Sequence, residues 1–187
     1  MTFTFTKNII QNVVTYESPM MIEASNLYIH DCTFRKVQTK FSGGAMFQKY
    51  SVDGLEKFHD YHFFFYGTNI FEDTYASGSG GAITLTYGSR MKVMEGHMIF
   101  RNCHSADSGG AIYLLGSSHF SFNENVAEVT FYGCSALKGG AVALDEDSSM
   151  TFNSTFGDLK RINFDSNKAL SDPKSGATGS AIYVKSS

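Results

Sequence analysis

The sequence predicts an all-β protein, a right-handed parallel β-helix (β-solenoid) of about six coils. A Gly-Gly-Ala motif followed by a β-prone residue recurs along the 187 residues, and a phenylalanine that closes a short strand stands upstream of each copy. Self-similarity with a period of about thirty residues is typical of a solenoid. Between the motifs, apolar and polar residues alternate with period two, as in strands with one buried face.

The glycine motif and the phenylalanine keep a nearly constant spacing. In four of the five copies eight or nine positions separate them, and in the last an insertion stretches the gap to fifteen. The fifth motif is degenerate, because it reads Gly-Ser-Ala-Ile. The motif glycines are Gly43, Gly44, Gly80, Gly81, Gly109, Gly110, Gly139, Gly140 and Gly179, and the phenylalanines are Phe34, Phe71, Phe100, Phe131 and Phe164.

A decayed copy precedes these five. Phe5-Thr6-Lys7-Asn8 matches later Phe-x-x-Asn segments, and residues 18–22 occupy the place of the glycine motif. We therefore expect a single β-helix repeat domain over residues 1–187, with insertions near residues 48–67 and 145–160 and a loop over 169–178. Its copies are predicted to begin near Phe5, Phe34, Phe71, Phe100, Phe131 and Phe164.

A copy of about thirty residues suits a coil of three short strands joined by turns. One strand ends at the phenylalanine, as in Met98-Ile99-Phe100, and another follows the glycine pair, as in Ile112-Tyr113-Leu114. Stacked coils would pair as parallel strands, with right-handed connections and equivalent residues in rows. The glycines suit a tight turn with positive φ or close backbone approach. A second row is predicted at the turn after the phenylalanine, formed by Asn8, Thr74, Cys103, Cys134 and Asn167.

Composition excludes several classes of function. The formal net charge of −3 gives no electrostatic reason to expect a nucleic acid or an anionic membrane as partner. No apolar run approaches the length of a membrane span. The first seven residues lack the layout of a secretion signal. Export information has been removed, or lies elsewhere in a longer protein, or the chain stays inside the cell.

Two of the three cysteines hold equivalent positions. Cys103 and Cys134 each follow the repeat phenylalanine by three residues. Stacked copies would bring their Cα atoms to about 4.8 Å, one strand spacing. That distance allows a disulfide, although stacked parallel side chains give poor dihedral angles for one, so a thiol pair and a disulfide both remain open. No CxxC or His-x3-His spacing accompanies them, and we expect no metal site or cofactor.

Two polar clusters have a functional and a structural interpretation. The segment His59-Asp60-Tyr61-His62 could offer two imidazoles and a carboxylate to a metal or a proton transfer, or it is a surface loop. The carboxylates of Asp145-Glu146-Asp147 could hold Ca²⁺, or they lie on a solvated turn. Asn153-Ser154-Thr155 is an N-glycosylation sequon, which matters only on a eukaryotic secretory route.

No acid–base pair is evident on the outward side of the predicted strands, so we expect no catalytic residues and no enzyme. The outward residues after the glycine motifs form a row suited to contact with a glycan or a partner protein. Enzymes on β-helices instead need clustered carboxylates or a basic residue on one sheet. That row consists of Phe47, Thr84, Tyr113, Ala143 and Tyr183.

The coupling of Gly80-Gly81-Ala82-Ile83 and its equivalents to Phe-x-x-Asn, as in Phe164-Asp165-Ser166-Asn167, resembles the repeat of the chlamydial polymorphic outer membrane proteins. The resemblance covers almost the whole chain. It implies a right-handed parallel β-helix in a cell-surface or secreted protein with an adhesive or structural role. A host or surface protein, or a glycan, is the kind of partner that such a role implies.

The two ends of the predicted helix lack an evident cap. Uncapped strand edges invite further pairing. The chain is therefore expected to stack end to end into a fibre or to adjoin neighbouring repeats of a longer surface protein. The function that follows is a non-enzymatic structural or adhesive solenoid, extracellular or at the cell surface. The alternative is a β-helix that binds or degrades polysaccharides.

Overall fold

The computed structural model describes residues 2–23, 25–49, 62–152, 161–170 and 178–185. These ranges hold twenty β-strands and no helix, and therefore no helix that could cross a membrane. Every pairing between the strands is parallel. The prediction of an all-β protein with parallel strands is confirmed.

The strands fall into three positions that recur in each of six copies. The first position holds β1 (Thr2–Thr6), β4 (Asn26–His30), β7 (His62–Tyr66), the opening halves of β11 (Arg90–Arg101) and β14 (His119–Tyr132), and β17 (Ser149–Phe152). The second holds β2 (Ile9–Thr15), β5 (Thr33–Thr39), β8 (Thr68–Glu72), the closing halves of β11 and β14, and β18 (Arg161–Asp165). Four short strands follow it, β9 (Tyr75–Ala76), β12 (His104–Ser105), β15 (Ser135–Ala136) and β19 (Lys168–Ala169). The third holds β3 (Met20–Glu23), β6 (Met46–Lys49), β10 (Ile83–Thr86), β13 (Ile112–Leu115), β16 (Val142–Asp145) and β20 (Ile182–Lys185).

Each position pairs with the same position in the neighbouring copies. The third-position strands make a six-stranded sheet in chain order, from β3 to β20. First- and second-position strands share a fourteen-stranded sheet, because β11 and β14 each run through both positions. In the other copies the chain turns between the first and the second position. In β11 and β14 the strand continues through this place, and the pairing of the two strands shifts its register between Val93 and Glu95 and again between Gly96 and His97.

The repeat phenylalanines form one row inside the protein, as predicted. Ring centroids of successive members lie 4.8–5.1 Å apart, and their planes differ by 2–13°. Phe34 is 2% exposed and Phe71, Phe100 and Phe131 are 0% exposed, whereas Phe164 in the sixth copy is partly buried. These phenylalanines belong to a single buried apolar cluster, which explains why the sequence repeats one large apolar residue at this place.

The register corrects the assignment of Phe5. Ile10 lies opposite Phe34, whereas Phe5 lies opposite Ile29 on a first-position strand. Phe5 therefore belongs to a second inward row, which includes Phe122, and it does not head the row of repeat phenylalanines. The two rows were indistinguishable in sequence because both place an apolar residue shortly before a turn.

The predicted insertions are shorter than expected. Residues 46–49 and 62–66 form the regular strands β6 and β7, and residues 149–152 form β17. The sequence of β7, His-Phe-Phe-Phe-Tyr, is apolar on both faces, so it has no alternation that would identify a strand. Residues 50–61, 153–160 and 171–177 lie outside the described residues.

Candidate functional site

The first glycine of each motif makes the same backbone turn. Its φ is between 62° and 69° in all five motifs. In the first four motifs its amide donates to a carbonyl of the following copy at 2.8–3.0 Å, as from Gly80 to Ser108 and from Gly109 to Lys138. The turn therefore links one copy to the next by backbone hydrogen bonds.

The second glycine lies against the following copy. A Cβ added to Gly44, Gly81, Gly110 or Gly140 would stand 1.9–2.2 Å from a carbonyl oxygen of that copy. No real Cβ tolerates that separation, so only glycine fits where a regular copy follows. Ser180 holds this position in the sixth copy, where the described residues place no further copy against it.

A second turn follows the row of phenylalanines. The residue two positions after each row member has a left-handed backbone with φ between 51° and 63°. The next residue gives the predicted second row, in which Val13 takes the place assigned to Asn8. Asn8 instead lies in the row of Cys32, because the backbone carbonyl of Asn8 accepts from Thr33. The left-handed residues are Asn12, Lys36, Asp73, Asn102, Gly133 and Ser166.

Cys103 and Cys134 are neighbours in the second row. The amide of Ser135 donates to the carbonyl of Cys103 at 3.0 Å. Both cysteines are free and fully buried, and Cys32 is also free and buried. Burial, and then the neighbouring Cys134, raise the pKa of Cys103 well above its ordinary value. A thiol that stays protonated is a poor nucleophile and metal ligand, so Cys103 is unsuited to either role.

Three charged side chains form a row on the outside of the second-position strands. Glu72 lies between Arg35 and Arg101, with an Nε to Oε2 distance of 2.5 Å on one side and a guanidinium to Oε1 distance of 3.0 Å on the other. The hydrogen bond from Arg101, followed by that from Arg35, lowers the pKa of Glu72 although desolvation opposes the shift. The row connects three successive copies electrostatically.

The outward residues after the glycine motifs lie in one row, as the sequence suggested. Phe47, Thr84, Tyr113, Ala143 and Tyr183 occupy corresponding places on successive strands. The small members Thr84 and Ala143 are buried while the aromatic members are partly exposed, so the rings alternate with small residues. Burial, and then Asp145 and Asp107, raise the pKa of Tyr113 to about 12, so its phenol stays neutral at physiological pH.

A second aromatic surface was missed in the sequence. We call Tyr28, His30, Phe64 and Tyr66 the aromatic patch. Its rings pair across the neighbouring strands β4 and β7, with Tyr28 stacked on Phe64 at 4.9 Å and His30 on Tyr66 at 4.5 Å. All four side chains are partly exposed. The sequence did contain a signal, the alternation Leu27-Tyr28-Ile29-His30. Its partner strand β7 was not recognised, because residues 48–67 were expected to form an insertion.

Two serine–histidine contacts are the nearest approach to catalytic chemistry. His104 Nδ1 lies 2.7 Å from Ser135 Oγ, and His119 Nδ1 lies 2.6 Å from Ser149 Oγ. Burial lowers the pKa of both imidazoles. No carboxylate contacts either imidazole among the described residues, so neither contact forms a triad.

Of the polar clusters predicted from the sequence, the structure describes the one at Asp145 and only the last residue of the one at His59. Asp145 ends β16, and its carboxylate accepts from the amide of Glu146 at 3.1 Å, within a turn where Glu146 and Asp147 have positive φ. No group of three or more potential metal ligands occurs in the described ranges. His59, Asp60, Tyr61 and Asn153 lie outside them, and His62 begins β7.

Searches with protein-family profiles, curated proteins and solved structures gave no match to this chain.

Proposed function

We propose that this chain is a non-enzymatic structural or adhesive module, a right-handed parallel β-helix that acts outside the cell or at its surface. The observation that carries the proposal is the repetition itself: in the described ranges three strand positions recur six times, and each pairs with its equivalents in the neighbouring copies. Three strands per copy, paired in this way, fit one turn of a coil. The resemblance of the motifs to the chlamydial surface-protein repeat supports the same role.

The geometry that recurs from copy to copy packs the copies together. The row of phenylalanines, the buried thiol pair and the glycine turns all connect one copy to the next. Such a module acts as a rigid spacer, either within a longer surface protein or by joining other molecules end to end. We expect it to bind a glycan or a surface protein through its outward side chains.

The aromatic patch is the best candidate for this adhesive contact. Its four partly exposed rings lie side by side and include phenol and imidazole groups that can hydrogen-bond. Aromatic rings supply large contact areas at low entropic cost. Burial, and then Tyr28 and Glu95, raise the pKa of Tyr66, so its hydroxyl remains a donor at neutral pH.

Two assays test the proposal. Incubation with a panel of polysaccharides and Ca²⁺ should release no sugar fragments; any reproducible release would establish the alternative, a polysaccharide-degrading enzyme. Binding to a glycan array or to cells should fall about tenfold or more in Tyr28→Ala. Tyr132→Ala is the matched control, since Tyr132 is also exposed but lies outside the patch. Equal binding by both variants would remove the patch from the proposal.

A further inference from the structure

We propose that molecules of this chain join head to tail, with the first copy (β1, β2 and β3) of one molecule stacking on the last copy (β17, β18, β19 and β20) of another. The contact follows the register that the rows keep inside the molecule. This inference rests on the proposed function, because it specifies how the module would extend itself.

Exposed apolar side chains concentrate on these two copies. Nine of the twelve exposed large apolar side chains in the described ranges lie there, including Ile9 at 67%, Val14 at 74% and Val184 at 64% exposure. The strand edges of both copies also carry backbone groups that interior copies pair with their neighbours. Open edges of this kind are templates for further pairing.

The residues of the two copies match row by row. Following the internal register, Thr2-Phe3-Thr4-Phe5 would lie on Ser149-Met150-Thr151-Phe152. Hydroxyl residues would then meet outside, and apolar residues would meet inside. Ile10 would likewise lie on Phe164 and extend the row of phenylalanines. A slip by one residue would set the apolar side chains of this strand against hydroxyl residues, so the match excludes shifts by an odd number of residues.

The third position gives the same result. Its inward rows would place Met20 on Ile182 and Ile22 on Val184. Both pairs are apolar, and Ile182 and Val184 are exposed in the isolated molecule.

Ser180 favours the first copy as the occupant of this end. A copy with the regular glycine turn would place a carbonyl oxygen about 2 Å from the Cβ of Ser180, as at Gly110 and Gly140. The first copy has no such turn. Met20 pairs with Met46, so Glu17, three residues before Met20, corresponds to Gly43, the first glycine of its motif. Glu17 lacks the positive φ of Gly43.

One row opposes the contact. Lys7 of one molecule would lie near Arg161 of the next, and both side chains are exposed. Salt screens repulsion between exposed charges. Assembly should therefore strengthen as the salt concentration rises from low to physiological values.

Engineered cysteines test the register. Thr4→Cys and Thr151→Cys are made in separate chains, which is feasible because the native cysteines are buried. Under a mild oxidant the mixture should form covalent dimers, since the predicted Cα separation is about 4.8 Å. Thr6→Cys mixed with Thr151→Cys is the control, because its separation of about 8 Å is too long for a disulfide. Dimers of Thr4→Cys alone, or equal yields from both mixtures, would overturn the register.

A charge placed on the end tests the surface without oxidation. Val184→Lys should abolish concentration-dependent assembly in size-exclusion chromatography, whereas Tyr132→Lys on the side of the molecule should not. Equal behaviour of the two variants, or a wild-type protein that stays monomeric at high concentration and physiological salt, would overturn the inference. The proposed function would survive that result, since the polysaccharide assay judges it separately.

Discussion

The interior copies and the sixth copy share one residue pattern but meet different neighbours. In the fourth copy the glycine pair is intact, and Phe100 is fully buried between two other rings. In the sixth copy the second glycine is Ser180, and Phe164 is partly buried with one ring beside it. The comparison shows that a neighbouring copy, and not the turn itself, makes the second glycine necessary.

The largest expected effect comes from exchanging the residues at this position. Gly110→Ser should destabilise the protein by at least about 3 kcal/mol, because the new Cβ meets backbone atoms of the next copy that cannot move alone. Ser180→Gly should change the free energy of unfolding by less than about 1 kcal/mol. Urea unfolding followed by far-UV circular dichroism measures both, and equal effects would refute the steric explanation.

The phenylalanine row gives the next largest difference. Phe100→Ala should cost about 3–5 kcal/mol, the usual range for truncating a buried phenylalanine. Phe164→Ala should cost clearly less, because its ring is partly exposed and has a neighbour on one side. The same urea experiment compares the two variants. A larger loss for Phe164 would mean that the sixth copy, and not the interior, holds the core.

The difference should also appear in local opening. End copies of a repeat array open more readily than interior copies. In dilute solution, a thiol reagent should label Cys32 of the second copy about tenfold faster than Cys103 of the fourth, which corresponds to about 1.4 kcal/mol in opening free energy. Variants that retain only one cysteine, by alanine replacement of the other two, separate the rates. Faster labelling of Cys103 would contradict an interior that is more stable than the ends.

The smallest effect concerns the charged row. The arginines lower the pKa of Glu72 from its ordinary value of 4.5. A lowered folded-state pKa gives stability that is present above the unfolded value and is lost as pH falls through the folded value. Glu72→Gln should therefore lose about 1 kcal/mol or less at pH 7, and the difference should vanish in acid. If the difference in unfolding free energy between the wild type and Glu72→Gln grew on acidification, the ion pairs of Glu72 would not be what stabilises the fold.

The regular parts of the fold were predictable from the sequence. The row from Phe34 to Phe164, the glycine turns and the equivalence of Cys103 with Cys134 all follow from one period in the residues. These features could be predicted because stacking in register gives equivalent residues of every copy the same packing environment, so the same residue types recur there.

The features that were predicted wrongly or missed are those that the repeat does not determine. Phe5 was placed in the wrong row because two inward rows use the same residue type. The strand β7 was assigned to an insertion because it is apolar on both faces. The aromatic patch depends on that strand, so its pairing of Tyr28 with Phe64 was visible only in the structure.

A crystal structure of the chain at side-chain resolution would show whether successive copies stack in register on parallel strands. We expect Phe71, Phe100 and Phe131 to stack as consecutive members of one row, with ring centroids 4.9–5.1 Å apart on parallel strands. Antiparallel pairing of β11 with β14, or phenylalanine rings directed into separate cores, would contradict it.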